Sequence, residues 1–269
     1  MATIKGWFDD SERAGVCALG GYAGADHRWE YFDFNWPIVL AKHGVPYLHM
    51  KETHEPKGPY AKWLPAQNHR DEWVAFLREL AEAIHESRLI FFGSIVWLSH
   101  LERFNRERGM NLQPYSLATC ACMDVVEREY GMETTELFFD PLPQVKSKLD
   151  LGQEYAKSDP NRAGCYDRML MTPLGKGISW KDLPALQAAD FMTWEFRKYQ
   201  EGLGAWFDLP DRPKDEDEHW AQMEAWLLSN EIVPRKSAAA LVEGNQVAPF
   251  IWDYNRLCEA DQARGGKWK

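Results

Sequence analysis

The sequence of 269 residues lacks the features that mark several large classes of protein. It contains no run of about 18 consecutive apolar residues, the length that a membrane-spanning helix requires, so we expect no association with a membrane. Positive charge is scarce, because lysine and arginine total 31 against 41 aspartate and glutamate residues, which gives a net charge of −10. Binding nucleic acid over a whole surface requires excess positive charge, so the sequence excludes a broad nucleic-acid binder and leaves only a local basic cleft open.

Cysteine is also scarce and shows no metal-binding pattern. The five cysteines are scattered along the chain, and only Cys120 and Cys122 are close together. No second pair or histidine stands near them at zinc-binding spacing, so we expect reduced thiols that are buried as small hydrophobic side chains. The N-terminal residues enter a strand-like segment with two acids, which is unlike a signal peptide. We therefore expect a cytoplasmic protein.

What the sequence does contain is the composition of a globular protein, with 45% hydrophobic and 27% charged residues. Its apolar residues follow the period of strands in some segments and the period of helices in others. Strands are predicted over residues 3–9, 15–24, 88–97, 134–140 and 168–172, and helices over residues 27–43, 71–86, 114–130, 144–157, 183–199 and 219–229. The first two strands form a predicted hairpin and later strands alternate with helices, so the predicted class is α/β, with a sheet flanked by helices.

Two segments interrupt this pattern. Residues 51–67 are charged and contain proline and glycine, which predicts a surface loop. Residues 208–218 are acidic and are predicted to form a linker or a solvated loop. We therefore assign residues 1–200 to one α/β domain and residues 201–269 to a helical C-terminal extension that packs on the same domain.

Acidic residues stand at the ends of predicted strands. Asp9 and Asp10 end the first strand and Asp140 ends a later one, at the edge where ligand-binding groups of α/β sheets gather. Because side chains alternate along a strand, Asp9 and Asp10 point to opposite faces, and only one of them can join a given site. Glu52, three residues after His49, follows a short apolar strand predicted over residues 46–50 and can reach the same edge. The alternative for each strand-end acid is a plain role in a turn.

Asp190 lies in a predicted helix, within the apolar run Ala188–Phe191, and Gln187 lies one turn earlier on the same face. Buried aspartate is rare unless it is paired or binds a metal, so the alternatives are a salt bridge and a metal site. Carboxylates that converge on one edge repel each other unless a cation lies between them, and hard oxygen ligands suit Mg²⁺ or Mn²⁺. Two such ions about 3.5–4 Å apart can drive the attack of water on a phosphodiester.

Three segments resemble signatures of one known family. Phe8–Ser11 (Phe-Asp-Asp-Ser) is similar to the N-terminal Asp-Glu-Ser signature of the uncharacterised family called domain of unknown function 3800. Leu186–Asp190 resembles the Leu-Gln-x-Ala-Asp signature of that family, and Tyr47–Glu52 is similar to a looser patch that has a histidine and a nearby acid. Together the three segments place the resemblance over about residues 3–200.

The resemblance implies a ribonuclease H-like fold, in which the first strand of a mixed sheet and a late helix each supply an acid. The acids that match this pattern are Asp9 in the first strand, Asp140 at the end of a central strand, Asp190 in the late helix and, as a candidate for the remaining position, Glu52. The sequence departs from the family at Asp10, which replaces a glutamate, and at Glu12, which replaces a glycine. The shorter side chain at position 10 limits the reach of Asp10 as a ligand.

These observations predict a divalent-metal-dependent phosphodiester hydrolase of the nuclease type. Its cofactor is Mg²⁺ or Mn²⁺, and its substrate is RNA, DNA or a nucleotide held in a local cleft. The predicted catalytic residues are Asp9, Glu52, Asp140, Asp190 and His49, and the predicted metal ligands are Asp9, Asp10, Asp140 and Asp190. His49 is expected to move a proton to the leaving oxygen. The predicted substrate-binding residues are Gln187 and Lys176, since Lys176 lies in a glycine-flanked loop that suits a phosphate.

Two other functions stay open. A non-catalytic protein-interaction module with the same fold would use its aromatic C-terminal third to bind a protein partner or to form a homodimer. The net charge of −10 favours this alternative over a broad nucleic-acid binder, and the alternative predicts an exposed apolar patch near Trp220, Trp226 and Trp252. A glycoside hydrolase that uses two of the carboxylates is the weaker option, because no strong motif supports it.

Overall fold

The described part of the chain forms a six-stranded mixed sheet between two layers of helices. The structure, a computed structural model, describes residues 3–13, 15–63, 69–131, 134–139, 145–158, 166, 169–174, 179–207, 250–252 and 254–264. The α/β class predicted from the sequence is confirmed, because strands and helices alternate along most of these residues.

The strands are β1 (Thr3–Arg13), β2 (Val16–Ala25), β3 (Ile90–Trp97), β4 (Thr134–Phe139), β5 (Met169–Pro173) and β6 (Phe250–Trp252). Their order in the sheet is β5-β4-β1-β2-β3-β6. β1, β2 and β3 pair antiparallel, whereas β4 is parallel to β1, β5 to β4 and β6 to β3. The sheet is therefore mixed, with β1 between an antiparallel hairpin partner and a parallel strand.

The helices are α1 (Asp26–Lys42), α2 (Met50–His54), α3 (Arg70–Ser87), α4 (Leu98–Arg108), α5 (Pro114–Tyr130), α6 (Val145–Lys157), α7 (Pro184–Phe207) and α8 (Tyr254–Ala263), with 3-10 turns at Gly58–Trp63 and Trp180–Asp182. α5 covers one face of the sheet together with α4, α6 and α8. α7 covers the other face together with α1 and α3.

Side-chain alternation divides the core between these two faces. Phe8 and Leu19 contact the side of α5, whereas Ala18 and Tyr22 contact the side of α7. β2 is buried along nearly its whole length, because helices cover both of its faces. Each residue of β1 and β2 can therefore be assigned to one face by its position in the strand.

The predicted hairpin is present, but its first strand is longer than the sequence indicates. β1 continues four residues past Asp9, because Asp10–Arg13 pair with Val16–Leu19 of β2. Asp9 and Asp10 thus lie within the strand and not at its end. Among the described residues, the last pair of the parallel ladder between β1 and β4 is Phe8 with Phe139, and Asp9 is the next residue of β1.

The predicted loop over residues 51–67 is wrong for much of its length. Its described residues, 51–63, include most of α2 and the whole 3-10 turn Gly58–Trp63, and Tyr60 and Trp63 are buried in the core on the side of α7. The charged residues, proline and glycine around these two aromatic residues give the segment the composition of a surface loop, so the sequence does not indicate that Tyr60 and Trp63 are buried. The predicted short strand over residues 46–50 is also absent, and this segment is irregular until α2 begins at Met50.

One helix is missing from the sequence prediction. α4 follows β3 directly, and it buries Leu101 and Phe104 against the side of α5. Its apolar stripe is short because Arg, Glu and Asn occupy most other positions. Gly109, with φ of 62°, adopts the left-handed conformation that ends the helix.

The described part of residues 201–269 includes a strand of the main sheet as well as helix. β6 pairs with the edge of β3, and Trp252 is 3% exposed and donates from Nε1 to the carbonyl oxygen of Leu117 over 3.0 Å. Trp252 is therefore a core residue and not part of an exposed patch. Trp220 and Trp226, the acidic segment 208–218 and the predicted helix 219–229 lie outside the described residues.

The cysteines that the structure describes are free thiols. Cys17, Cys120 and Cys122 are buried, as expected from the sequence, and Cys258 is half-buried. Burial raises the pKa of the Cys17 and Cys122 thiols well above the ordinary value, so both stay protonated at neutral pH. Cys165 lies outside the described residues. None of the helices described here is long and apolar enough to span a membrane.

Candidate functional site

Asp9 lies on the face of the sheet that α7 covers. It pairs across the hairpin with Gly20. Ser11, two residues further along β1, accepts a hydrogen bond at Oγ from Nε of Arg197 in α7 over 2.7 Å. Because residues two apart share a face of a strand, Asp9 and Ser11 both point toward α7.

Asp190 lies on α7, half-buried between the buried Ala189 and Phe191. Its Oδ2 accepts a hydrogen bond from the backbone N–H of Met50 over 2.7 Å. Met50 is the first residue of α2, so this carboxylate oxygen satisfies one of the N–H groups that a helix leaves unpaired at its start.

The packing of α7 on the hairpin relates the two acids. A Cβ atom added to Gly20 would lie 2.8 Å from Oγ1 of Thr193, so α7 passes directly over the residue that pairs with Asp9. Thr193 follows Asp190 by three residues, which is slightly less than one helical turn, about 5 Å along the axis. Asp9 and Asp190 are therefore on the same side of the sheet, at neighbouring levels of α7.

Gln187 has a structural role that the sequence prediction missed. Its Oε1 accepts hydrogen bonds from the Leu48 backbone N–H (2.9 Å) and from Trp36 Nε1 (3.0 Å), and its Nε2 donates to the Lys181 carbonyl oxygen (2.8 Å). The side chain is 2% exposed. The amide of Gln187 is therefore buried and joins three segments of the chain, and its assignment to substrate binding stays a prediction.

His49 and Glu52 form a polar pair beside α7. Their Nδ1 and Oε1 atoms lie 3.3 Å apart, and both side chains are about one-third exposed (31% and 28%). The imidazole also lies against the ring of Trp180, with 4.5 Å between the ring centroids. Oε2 of Glu52 accepts a hydrogen bond from Tyr47 Oη over 2.9 Å. The carboxylate of Glu52 thus lies beside a histidine whose ring also packs against an aromatic side chain.

Lys181 extends this polar chain. Its Nζ donates to Tyr47 Oη over 3.2 Å and lies 4.3 Å from the centre of the Tyr47 ring. Four polar groups are thus in contact one after another: the Lys181 ammonium, the Tyr47 phenol, the Glu52 carboxylate and the His49 imidazole. Such a chain can position a proton-transfer group and neutralise nearby negative charge.

Tyr60 fixes the backbone under this pair. Its hydroxyl donates to the carbonyl oxygen of Tyr47 and accepts from the backbone N–H of His49 over 3.1 Å. Burial raises the pKa of Tyr60 strongly, and the negative charges of Glu52 and Asp190 raise it further. Glu52 and Asp190 therefore each lie within electrostatic range of Tyr60.

Asp10 lies on the other face of the sheet. Burial raises the pKa of its carboxyl group, Lys148 of α6 acts against this shift, and Glu12 reinforces it. Lys148 lies on the side of α5, away from α7. The prediction that Asp10 shares a metal site with Asp9 is therefore corrected, because strand alternation separates the two carboxylates.

Two predicted site residues, Asp140 and Lys176, lie outside the described residues. Within the described part of the chain there is no group of three or more His, Cys, Asp and Glu side chains placed to hold a metal ion. Asp9 and Asp190 are the predicted ligands that share a side of the sheet there, and His49 and Glu52 lie beside α7 on the same side.

The contacts along α7 include residues that the sequence reasoning missed. Gln187, Asp190, Trp194 and Arg197 form one stripe of α7, which we call the α7 stripe, and they contact the segment 48–54 and β1 in turn. Their spacing of three and four residues is the period of one helix face and is visible in the sequence. Counting this period forward from Asp190 along the predicted helix would have identified Arg197 as a polar residue on the same helix face.

No model of a known protein family matches the sequence. A search of curated proteins likewise finds no match.

Proposed function

We propose that this chain is a divalent-metal-dependent phosphodiester hydrolase with a ribonuclease H-like fold. The observation that supports it most is that Asp9 and Asp190 lie on the same side of the sheet, where α7 crosses β1 and β2. The resemblance implies an acid in the first strand and an acid in a late helix. β1 and α7 supply these two acids in that order.

The three segments that resemble the uncharacterised family also meet at α7. The contacts that join them are Ser11 with Arg197, Leu48 with Gln187, and Met50 with Asp190. Segments this far apart in the sequence are not required to be in contact. Their contacts with α7 therefore favour a single functional site over three unrelated turns. It supports the proposal that the segments act together.

Asp140 is the proposed third acid. β1 and β4 are parallel and Phe8 pairs with Phe139. Asp9 and Asp140 are the next residues after this pair in their segments of the sequence. The resemblance implies Asp140 as the acid at the end of a central strand.

Mg²⁺ or Mn²⁺ suits this donor set. Both are hard cations that prefer carboxylate oxygens, and Mg²⁺ often uses only one or two protein carboxylates when substrate phosphates complete its shell. When bound, such a cation supplies Lewis-acid polarisation of the phosphodiester. In this proposal Asp9 and Asp190 hold the cation, and the chain supplies proton transfer from elsewhere in the site.

His49 is the proposed donor of a proton to the leaving oxygen. Glu52 at 3.3 Å from Nδ1 favours the form of the ring that is protonated on that nitrogen, and Trp180 limits rotation of the ring. Nε2 is then the nitrogen that exchanges a proton with the substrate. Lys181 and Tyr47 stabilise the negative charge of Glu52 in this arrangement.

The direct test is titration of Mn²⁺ into the wild-type protein and into Asp9→Asn and Asp190→Asn by calorimetry. We expect saturable binding by the wild type and its loss in both variants, because each substitution removes one anionic ligand. Asparagine keeps an oxygen that can accept the Met50 N–H, so Asp190→Asn tests the charge while preserving this hydrogen bond. Cleavage of single-stranded and double-stranded RNA and DNA with Mg²⁺ is then expected to be abolished in both variants.

Asp150→Asn is the matched control. Asp150 is exposed on α6, on the opposite side of the sheet, and pairs with Lys146. We expect this variant to bind Mn²⁺ as the wild type does. Cleavage that persists in both Asp9→Asn and Asp190→Asn, with both proteins folded, would contradict the proposal.

The non-catalytic interaction module stays the alternative. The observation that favours it is an apolar stripe on α1, where Tyr31, Phe34 and Ile38 are 43%, 71% and 52% exposed at helical spacing. Isolated exposed apolar residues are normal, but three along one helix face are the kind of surface that partners bind. A folded wild-type protein that binds no Mn²⁺ would favour this alternative over the hydrolase.

A further inference from the structure

Arg197 is a buried charged residue to which the proposed reaction gives no part. Its side chain is 1% exposed because it lies between α7 and the sheet, where it contacts β1. Burying a guanidinium group is unfavourable unless hydrogen bonds and opposite charge compensate for the lost hydration. Replacing a buried ion pair by hydrophobic residues of similar size is often neutral or stabilising in proteins, so the arginine calls for a reason other than stability.

The partners of Arg197 compensate its charge and orient it. Nε donates to Ser11 Oγ over 2.7 Å, and Nη1 forms an ion pair with Glu201 one turn later on α7. The guanidinium carbon lies 4.7 Å from the centre of the Trp194 ring. Glu201 and Trp194 belong to the same helix as Arg197, so the bond to Ser11 is the contact among these three that reaches the sheet.

That bond joins the two elements that contain the proposed metal ligands. Ser11 is two residues from Asp9 on the same face of β1, and Arg197 is seven residues from Asp190 along the α7 stripe. A slide or rotation of α7 on the sheet would move Asp190 relative to Asp9. Mg²⁺ demands near-ideal geometry of its oxygen ligands, so a small displacement of this kind weakens binding.

We propose that Arg197 is a positioning residue, whose bond to Ser11 sets the register of α7 on β1 so that Asp9 and Asp190 bind one divalent cation together. The inference rests on the proposed function, since it assigns Arg197 a role in that same site. It also gives a reason for the serine of the Asp-Asp-Ser segment, because its hydroxyl is the acceptor that Arg197 requires.

The test compares Ser11→Ala with Ser11→Thr. Ser11→Ala removes the acceptor and leaves the ion pair of Arg197 with Glu201 in place, whereas Ser11→Thr keeps a hydroxyl. We expect the Mn²⁺ dissociation constant to rise about 10- to 100-fold in Ser11→Ala, the range found for residues that orient metal ligands. Ser11→Thr is expected to restore most of the affinity. Calorimetry supplies the affinity and thermal unfolding supplies the stability of each variant.

Glu201→Gln separates positioning from stability. It removes the charge that compensates Arg197 but leaves the bond to Ser11, so we expect a lower melting temperature with little change in Mn²⁺ affinity. Arg197→Lys is the second probe of the bond, since one ammonium group cannot reproduce the planar fork that engages Ser11 and Glu201 together. It is expected to weaken Mn²⁺ binding as Ser11→Ala does.

The outcomes distinguish this inference from the proposed function. Wild-type affinity in folded Ser11→Ala or Arg197→Lys, together with loss of binding in Asp190→Asn, overturns the role of Arg197 and leaves the hydrolase proposal standing. That role is equally overturned if affinity falls in Glu201→Gln as much as in Ser11→Ala, because loss of stability then explains both. A wild-type protein without Mn²⁺ binding overturns both proposals.

Discussion

Asp9 and Asp10 are neighbours in the sequence but occupy different chemical environments. Asp9 faces α7 and the proposed metal site, whereas Asp10 faces the side of α5 and α6, where Lys148 is the cation that acts on it. Burial raises the pKa of Asp10 because the charged carboxylate loses hydration that Lys148 does not fully replace. At the scale of single residues, the charge of Asp10 is therefore a cost to stability.

We predict that Asp10→Asn raises the free energy of unfolding at pH 7. The folded-state pKa of Asp10 is above its ordinary value of 3.8, so the native state binds more protons than the unfolded state between these two values. Stability therefore falls as the pH rises through that window, and the loss is complete above the folded-state pKa. Urea unfolding of the wild type and Asp10→Asn across the acidic range measures the difference.

The advantage of Asp10→Asn should shrink as the pH falls below about 3.8, where the carboxyl is protonated in both states. Asp150→Asn, at an exposed carboxylate, controls for the removal of one negative charge. A constant difference between Asp10→Asn and the wild type at all pH values would contradict the prediction.

At the scale of elements, α7 organises its side of the sheet. Gln187 binds the backbone of Leu48, Asp190 binds the backbone of Met50, and the Trp194 ring stacks on His54 with 5.2 Å between centroids. The segment that contains His49 and Glu52 is thus held by side chains of a helix more than 130 residues away in the sequence. Its position depends on α7 because it belongs to no strand.

We predict that Gln187→Met destabilises the protein by about 2–6 kcal/mol. The substitution keeps the shape of the side chain but leaves the Leu48 N–H and Trp36 Nε1 buried without their acceptor, at about 1–3 kcal/mol for each group. Equilibrium unfolding in urea measures the loss. Gln113→Met, the same change at an exposed position, is the control and should stay within about 0.5 kcal/mol of the wild type.

At the scale of the whole molecule, the described C-terminal residues belong to the core. β6 extends the sheet beside β3, and Trp252 packs on the side of α5 while it binds the Leu117 carbonyl. α8 adds Leu257 to the same core, and Asp261 pairs with Arg108 of α4. The domain that was assigned to residues 1–200 therefore shares its sheet and its core with residues near the C-terminus.

We predict that Trp252→Ala lowers the stability of the whole protein by about 3–5 kcal/mol, the usual cost of removing a large buried aromatic side chain. Because β6 belongs to the main sheet, unfolding should stay a single transition at a lower temperature. Far-UV circular dichroism and tryptophan fluorescence, recorded on the same samples, check that the two probes coincide. Phe34→Ala, at the exposed stripe of α1, is the control.

A separate early transition in Trp252→Ala, with the main transition unchanged, would contradict this prediction. It would mean that β6 and α8 unfold as an independent unit and that their contacts add little to the rest of the sheet. Wild-type stability in Trp252→Ala would contradict it as well.

Several elements were predictable because their signals are local. The bounds of α5 agree with the prediction from Pro114 to Tyr130, since proline favours a helix start and the apolar period continues to Gly131. α3 follows from its apolar spacing, and the hairpin of β1 and β2 from two apolar segments around a short polar turn. The candidate acids Asp9 and Asp190 were also visible, because an acid in an apolar setting is rare.

The α/β class, most helices and strands and the absence of a long apolar run follow from local sequence patterns, because each depends on the period and composition of neighbouring residues. The pairing of the strands, the orientation of Asp10 away from α7, and the hydrogen bonds of Gln187 with Trp36 and Leu48 become visible only in the folded chain. These features depend on contacts between residues far apart in the chain. A local sequence pattern does not specify which distant residue will contact a given side chain, because that partner is selected by the packing of the whole fold.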